Sequence, residues 1–314
     1  VTGRADEPFF ITGPALISFS GGRTSAYMLW RILQAYGGTL PDDVYVCFIN
    51  TGKEREEALR FVHECSTRWG VKVHWIEYRD DEAGYEVVGL NSASREGEPF
   101  EALIKKMGYV PNRGAPYCSI VLKARTCRNW VYGELGWTPK WSVSLGLRHD
   151  EQPRVLGAIG RNQSGKDPWV NIVALDEAKV DKREVMTFWL GPNWRREIHR
   201  RLTASEELPQ GFDLGLLDYE GNCRRCWKKA PAKIRRIIRD EQEGHVAADP
   251  WWSRMEEETG TTFHLKLSHA DIEQQVRDEP MLELPEPEED DADEECGFTC
   301  FISDADYLDA LEAA

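Results

Sequence analysis

Residues Ser18 to Ser25 read Ser-Phe-Ser-Gly-Gly-Arg-Thr-Ser and follow directly on the apolar run Ala15-Leu16-Ile17. Gly21 and Gly22 let the backbone turn tightly and bring bare N–H groups up to a ligand. Ser20, Thr24 and Ser25 add hydroxyl donors at the positive end of the helix that follows. This is chemistry for an anion, phosphate above all. The spacing is neither the dinucleotide G-x-G-x-x-G nor the Walker G-x-x-x-x-G-K-[ST], which removes the two commonest phosphate-loop readings.

Two further groups carry chemistry. Eight cysteines stand at 47, 65, 118, 127, 223, 226, 296 and 300, and in a chain without an export signal they point to metal or redox chemistry rather than to a disulfide framework. Cys47 and Cys65 read as small apolar fillers. Cys223-Arg224-Arg225-Cys226 after Gly221-Asn222 supplies half of a metal site. Its other thiolates come from Cys118 and Cys127 or from Cys296 and Cys300. The first pair is preferred because it flanks a segment expected to return to the ligand edge, whereas an acidic tail would have to be ordered to complete a cluster. Four thiolates suit Zn²⁺ or a [4Fe–4S] cluster, and spacing does not separate the two. Finally, Trp141 to Arg154 reads as a strand running into a polar loop. There Arg148 and Arg154 offer bidentate recognition of phosphate or sulfate, with ion pairing to Asp150 or Glu151 as the plainer role. His149 in the same loop reads either as an acid or base or, as is commoner for a lone loop histidine, as solvated.

The periodicity predicts the elements that must position these groups. Leu29, Ile32, Leu33 and Tyr36 fall at helical spacing and stop at Gly37-Gly38. Val44 to Ile49 is the continuous apolar run of a strand covered on both faces. Asn50-Thr51-Gly52 closes it, residues 54–69 read as a helix and Val71 to Ile76 as a third strand. The order β-α-β-α-β predicts an α/β fold with a parallel sheet, which takes ligands at the carboxyl ends of its strands. The glycine turn and Asn50-Thr51-Gly52 are therefore expected to face one crevice. Farther on, Val180 to Leu190 and Pro231 to Gln242 read as helices, Trp251-Trp252 as a closing segment and Asp304 to Leu311 as a small amphipathic helix. Residues 80–115 carry no legible motif.

With 314 residues and 41% hydrophobic content the chain can bury a large core in one or two domains. No basic-plus-apolar leader and no run near the ~20 apolar residues of a membrane span is present, so a soluble cytoplasmic protein is expected. The formal charge of −15 is local: residues 278–314 hold 15 Asp and Glu and no Lys or Arg, leaving 39 acidic against 39 basic residues elsewhere. Pro280 to Glu295 has a composition expected to stay mobile. It reads as a solubilising tail or as a mimic of nucleic-acid phosphates. The mimic would have a target in Arg224, Arg225, Lys228, Lys229, Lys233, Arg235, Arg236 and Arg239, with Arg195, Arg196, Arg200 and Arg201 upstream. The expected division is a nucleotide-binding α/β domain over 1–210, a Cys-x-x-Cys and basic helical segment over 211–277, and the acidic tail over 278–314.

Ser20-Gly21-Gly22-Arg23-Thr24-Ser25 resembles the PP-loop, S-G-G-x-[DT]-S, of ATP pyrophosphatases and of the phosphoadenosine phosphosulfate (PAPS) reductase family. Gly146 to Arg154 looks like that family's G-[IL]-R-x-x-[ED]-[SQ]-x-R. Pro116 to Lys123 and Gly221 to Lys229 repeat the order, in iron–sulfur members, of an early cysteine group beside a basic residue and a late Cys-x-x-Cys. The resemblance runs from about Ala15 to Lys229. It implies a Rossmann-like, adenine nucleotide alpha hydrolase-like fold: a parallel sheet flanked by helices, then a helical, cysteine-rich part and the acidic tail. It also implies that Ser18, Ser20, Gly21, Gly22, Arg23, Thr24, Ser25, Asn50, Thr51, Gly52 and Gly146 bind the nucleotide and that Lys123, Arg148 and Arg154 stabilise charge. Cys118, Cys127, Cys223 and Cys226 would hold a [4Fe–4S] cluster in preference to Zn²⁺. One departure is Ser119, which follows Cys118 where assimilatory adenylylsulfate reductases have a second cysteine.

Among family activities, the resemblance implies an ATP pyrophosphatase. With Mg²⁺, a substrate oxygen attacks the α-phosphorus of ATP, pyrophosphate leaves, and sulfur displaces AMP. Phage-type PAPS reductase-like proteins and the ATP pyrophosphatases of DNA phosphorothioation are the members it resembles, and for these the segment Arg224 to Arg239 would be the track for a nucleic-acid acceptor, with a sulfur-donor protein as a further partner. An alternative is a thiol-dependent reductase of an adenosine sulfate (PAPS or APS), with Cys296 as nucleophile and thioredoxin as reductant. Glu295-Cys296-Gly297-Phe298-Thr299 lacks that motif's histidine, and its acidic neighbours raise a thiol pKa. A third reading is a non-catalytic, nucleotide-gated accessory that binds nucleic acid.

Overall fold

Along the first two strands alternate side chains enter different cores, as a sheet covered on both faces requires. Ala15, Ile17, Val44, Val46 and Phe48 join one cluster, while Leu16 and Cys47 join the other, with Tyr45 and Ile49 packed against it. The computed structural model describes residues 7–278 except 139, 166, 203–206 and 265. The acidic segment beyond Asp278, with Cys296, Cys300 and the expected helix at 304–311, lies outside the described residues.

In chain order the elements are β1 (Ala15–Ser18), α1 (Arg23–Ala35), β2 (Val44–Asn50), α2 (Glu56–Trp69), β3 (Val73–Glu77), β4 (Glu86–Val88) and α3 (Glu98–Met107). A π-helical turn, Cys118–Arg125, runs into α4 (Thr126–Glu134) and is followed by β5 (Trp141–Ser144), α5 (Gln152–Ser164), β6 (Trp169–Ile172) and α6 (Ala174–Glu177). The chain continues through α7 (Lys182–Leu190), α8 (Trp194–Glu197), α9 (Pro231–Gln242), α10 (Trp251–Thr259) and α11 (His269–Asp278).

The sheet order is β4-β3-β2-β1-β5-β6, which makes this an α/β fold. Five strands are parallel, but β4 runs antiparallel to β3, so the sheet is mixed rather than wholly parallel. The exception comes from residues 80–115, where three short-strand residues pair at the rim without an apolar run to announce them. The chain starts in mid-sheet, builds outward through β2 and β3, then crosses to the far side of β1 with β5. Ile17 thus lies between Val46 and Ser144. The direction of winding reverses between β1 and β5, the place where open α/β sheets take ligands beyond the carboxyl ends of their strands.

Helices α1, α2 and α7 cover one face of the sheet, and α4 and α5 the other. The helix expected at 231–242 forms with Pro231 in its first turn and buries Ile234, Ile237 and Ile238. Ile234 and Ile238 share an apolar cluster with Ile272 and Val276 of α11. Trp251 and Trp252 of α10 pack with Phe100 and Phe263. Among the described residues no helix is long and apolar enough to cross a membrane.

Candidate functional site

The glycine turn forms at the end of β1, and its geometry explains its composition. Gly21 has φ +79°, and a Cβ there would lie 3.0 Å from Phe48 Cε2 and 3.2 Å from Val62 Cγ2, so both conformation and space demand glycine. Ser25 Oγ donates to the Gly22 carbonyl at 3.1 Å and accepts from the Ser20 N–H at 3.1 Å. With that proton committed, Ser20 Oγ is the donor in the 2.7 Å contact between the two hydroxyls. Gly22 caps α1 without a side chain, so the helix's first N–H groups and its positive end are offered toward the crevice.

The arginine loop leaves β5 beside this turn and presses against it. A Cβ on Gly146 would stand 3.0 Å from Ser25 Cα. Arg148 is buried, and its Nη1 donates to Thr24 Oγ1 at 3.1 Å while Nε donates to Asp150 at 3.0 Å. Two segments 124 positions apart in sequence are thereby joined at the switch point. Arg154 belongs to α5 rather than to the loop, and its guanidinium pairs with Glu151, which also accepts the Arg148 N–H at 3.0 Å. Its ion-pair role is therefore present in the structure.

The loop after β2 reaches the same edge but turns its polar side chains to internal bracing. Asn50 Nδ2 donates to Glu77 at 2.7 Å and to the Ser94 carbonyl at 2.8 Å, and its Oδ1 accepts from the Gly52 N–H at 3.1 Å. Thr51 donates through both N–H and Oγ1 to Glu54. Lys123, on the π-helical turn, lies 3.9 Å from Glu54. It lines a cleft of about 290 Å³, counting the part open to solvent, together with Ser18, Ser20, Cys47, Ile49 and Cys127. A π-helical turn displaces side chains from their ordinary angular positions, and here it carries Lys123 to the cleft.

Arg23 contributes its backbone to the turn, while its side chain points away. The guanidinium forms a fork on Asp213 (2.8 and 2.6 Å) and reaches the Leu216 carbonyl at 3.0 Å. Burial alone would raise the Asp213 pKa, but the Arg23 charge and hydrogen bonds outweigh it and hold the carboxyl below its ordinary value. Asp213 opens a segment that runs along the crevice. Asn222 Nδ2 donates to the Ser20 carbonyl at 2.8 Å, the Asn222 carbonyl accepts from Arg55 N–H at 2.9 Å, and Cys223 bridges Glu54.

The four cysteines expected as one ligand set do not converge. Cys127 is fully buried with its sulfur 3.9 Å from Cys47, inside the core between α4 and the sheet. Burial and the Cys47 thiol push its pKa up, the reverse of what a thiolate ligand needs. Cys118 and Cys223 pack instead against the cluster around Trp251, and Trp227 Nε1 donates to Cys118 Sγ at 3.5 Å. Among the described residues no three Cys, His, Asp or Glu side chains are placed to hold a metal. Within the Cys-x-x-Cys turn, hydrogen bonding from Cys223 and the Lys229 charge draw the Cys226 pKa down against burial, while the Cys226 contact and burial push Cys223 up.

Three residues of the basic segment are turned inward: Arg225 pairs with Glu241 and Glu273, Lys229 donates to the Cys223 carbonyl and Lys233 is buried, whereas Arg236 is exposed and lies over Tyr219. Sequence reasoning missed Glu54, Glu77, Asp213 and Asn222. Each is an isolated polar residue whose partner is a loop carbonyl, a backbone N–H or a distant arginine. The density of arginine at 195–225 was the only available sign that buried carboxylates had to be nearby.

No known family profile matches the chain, and no solved structure matches it. It is 26% identical over 235 residues to an uncharacterized nin region protein of Escherichia phage lambda, covering 72% of this chain and 70% of that protein. It is also 30% identical over 121 residues to an uncharacterized protein of Methanocaldococcus jannaschii, covering 38% of this chain and 20% of the archaeal protein.

Proposed function

We propose that the chain is a PP-loop enzyme of Rossmann-like fold that binds ATP at the carboxyl edge and activates an acceptor by adenylylation with release of pyrophosphate, the adenylate then being displaced in a sulfur transfer. One observation supports this reading: Arg148 Nη1 sits 3.1 Å from Thr24 Oγ1, which brings the arginine loop onto the Ser-Gly-Gly turn as a single anion site would require. The uncapped first turn of α1 would hold the β- and γ-phosphates.

In this mechanism an acceptor oxygen attacks the α-phosphorus, and the bond to the bridging oxygen of pyrophosphate breaks. The negative charge gathering on the departing pyrophosphate meets helix N–H groups, the Arg148 guanidinium and, from the cleft side, the Lys123 ammonium. Those dipoles and charges are already in place. Glu54 and Asp213 are engaged with Thr51 and Arg23, so the Mg²⁺ required would be carried on the nucleotide's own phosphate oxygens. Cys127 does not fit an iron–sulfur or zinc ligand set with Cys118, Cys223 and Cys226, and no step is routed through one.

Calorimetric titration with ATP and Mg²⁺ tests the binding half. We expect saturable binding, lost in Gly22→Asp, which puts a carboxylate where the phosphates would sit. Pyrophosphate release measured against candidate acceptors tests the chemistry. Binding of an adenosine sulfate with sulfite release, and no binding of ATP, would replace this reading by the reductase.

A further inference from the structure

The sequence places His149 on a polar loop with nothing to orient it, and the fold supplies the orientation. His149 Nδ1 lies 2.7 Å from Asp176 Oδ1, and the Gln152 amide donates to that same oxygen at 2.8 Å and to the His149 carbonyl at 2.7 Å. The backbone is pinned as well, since the His149 N–H donates to the Val180 carbonyl at 2.8 Å. Asp176 stands on α6, just past the carboxyl end of β6. The dyad therefore occupies the edge that carries the anion turn, one residue from the arginine that touches Thr24. Burial would raise the Asp176 pKa, but hydrogen bonds from His149 and Gln152 hold it low. It is a carboxylate and accepts at 2.7 Å from Nδ1, which also lies 3.2 Å from the Gln152 amide, so Nε2 is the ring nitrogen left for a substrate. The ring remains 43% exposed, open to a second substrate.

We propose that His149 is the general base that deprotonates the acceptor, with Asp176 as its positioning residue. The inference rests on the adenylylation reading above. As the acceptor oxygen attacks the α-phosphorus, its proton passes to Nε2. The pair of electrons in the breaking phosphorus–oxygen bond leaves with pyrophosphate, and the imidazolium afterwards releases its proton to solvent. The charged groups around the ring are Asp176 and Lys179 from the α6 side and Arg148, Asp150 and Glu151 from its own loop. Arg148 is engaged with Asp150, and Arg154 with Glu151. The Asp176 contact therefore sets the tautomer.

The test is nitrogen-15 NMR of the full chain with labelled histidine, the His149 signals being identified by their loss in His149→Asn. The free protein is expected to show the Nδ1–H tautomer, and Asp176→Asn to abolish that preference. Saturation with ATP and Mg²⁺ should raise the His149 midpoint, the direction expected when phosphate charges are brought near the ring. In pyrophosphate release, kcat should fall on the acidic side with the same midpoint. His149→Asn should lose about 100-fold in kcat together with that limb. ATP binding with an unmoved His149 signal, or an Nε2–H tautomer, overturns the general base and leaves the nucleotide site standing. Absence of any ATP binding overturns the nucleotide reading itself.

Discussion

The glycine turn and the 211–230 segment meet at the Ser20 carbonyl, yet different forces hold them. The turn is fixed by close approach of small residues, Gly21 against Phe48 and Gly146 against Ser25, and by three hydroxyl bonds within Ser20 to Ser25. The 211–230 segment buries Phe212, Leu214 and Leu216 in the main core and carries, in addition, a set of buried charge pairs. Arg23 pairs with Asp213, and Arg55 and Arg201 share Glu220 at 3.1 and 2.6 Å. Arg225 is clamped by Glu241 and Glu273, and nearby Lys53 pairs with Asp249 at 2.9 Å. A steric site tolerates salt and acid but no added atoms. An ion-paired one tolerates added volume but no unpaired charge.

The largest effect should therefore come from one half of a buried pair. Asp213→Ala removes the carboxylate that forks the buried Arg23 guanidinium and should cost about 3–5 kcal/mol in urea denaturation. Replacing both partners, Arg23→Met with Asp213→Leu, should recover most of that loss. A cost below about 1 kcal/mol for Asp213→Ala would mean that the segment is held by something else.

On the steric side, Gly146→Ala should drive the arginine loop off α1. It is expected to cost about 1–3 kcal/mol of stability and to weaken ATP binding in the same calorimetric titration. Gly89, whose Cβ would meet nothing within 4 Å, is the control. Gly89→Ala should be neutral or slightly stabilising. Equal behaviour of the two variants would remove the steric account of the turn.

A smaller change is expected from Arg148→Lys, which keeps the charge but loses the fork that reaches Thr24 and Asp150 together. ATP should bind about tenfold more weakly, a difference of about 1.4 kcal/mol, with the denaturation midpoint little moved. Unchanged affinity would separate the arginine loop from the anion site.

The same contrast decides what could be read from the chain beforehand. β1, β2, α2 and β3 were legible because their apolar residues recur at the spacing of the element they build, and the glycine turn because only glycine serves there. The mixed edge of the sheet was not legible, since Glu86-Val87-Val88 is too short to show a period and owes its pairing to β3. Arg154 was placed on a loop because Gln152-Pro153 hides a helix start that Pro in the first turn in fact favours. Cys127 looked like a ligand by spacing, and only the π-helical turn and α4 decide that it faces Cys47. Asp213, Asn222 and Asp176 act on partners 190, 202 and 27 positions away, and no local pattern encodes such a pairing.

The response to acid should separate the sheet from the C-terminal helices. Burial, helped by the Lys72 charge, lowers the pKa of His74 on β3 to about 4; burial, helped by His269, lowers that of His264 beside α11 to about 4 as well. Both are neutral in folded and unfolded chains above the unfolded value of about 6.5, so their contribution to stability is complete there. As pH falls from about 6.5 toward 4 the unfolded chain takes up protons that the fold refuses, and stability declines by a slope approaching two protons. Asp213 and Asp249, held below their ordinary values against the opposing effect of burial, add their own loss only below about pH 4. Urea denaturation between pH 7.5 and 4.5 should show this decline. His74→Phe should remove the share that belongs to the sheet and His264→Phe the share of the C-terminal helices. A slope that both variants leave unchanged would mean that neither ring is buried neutral.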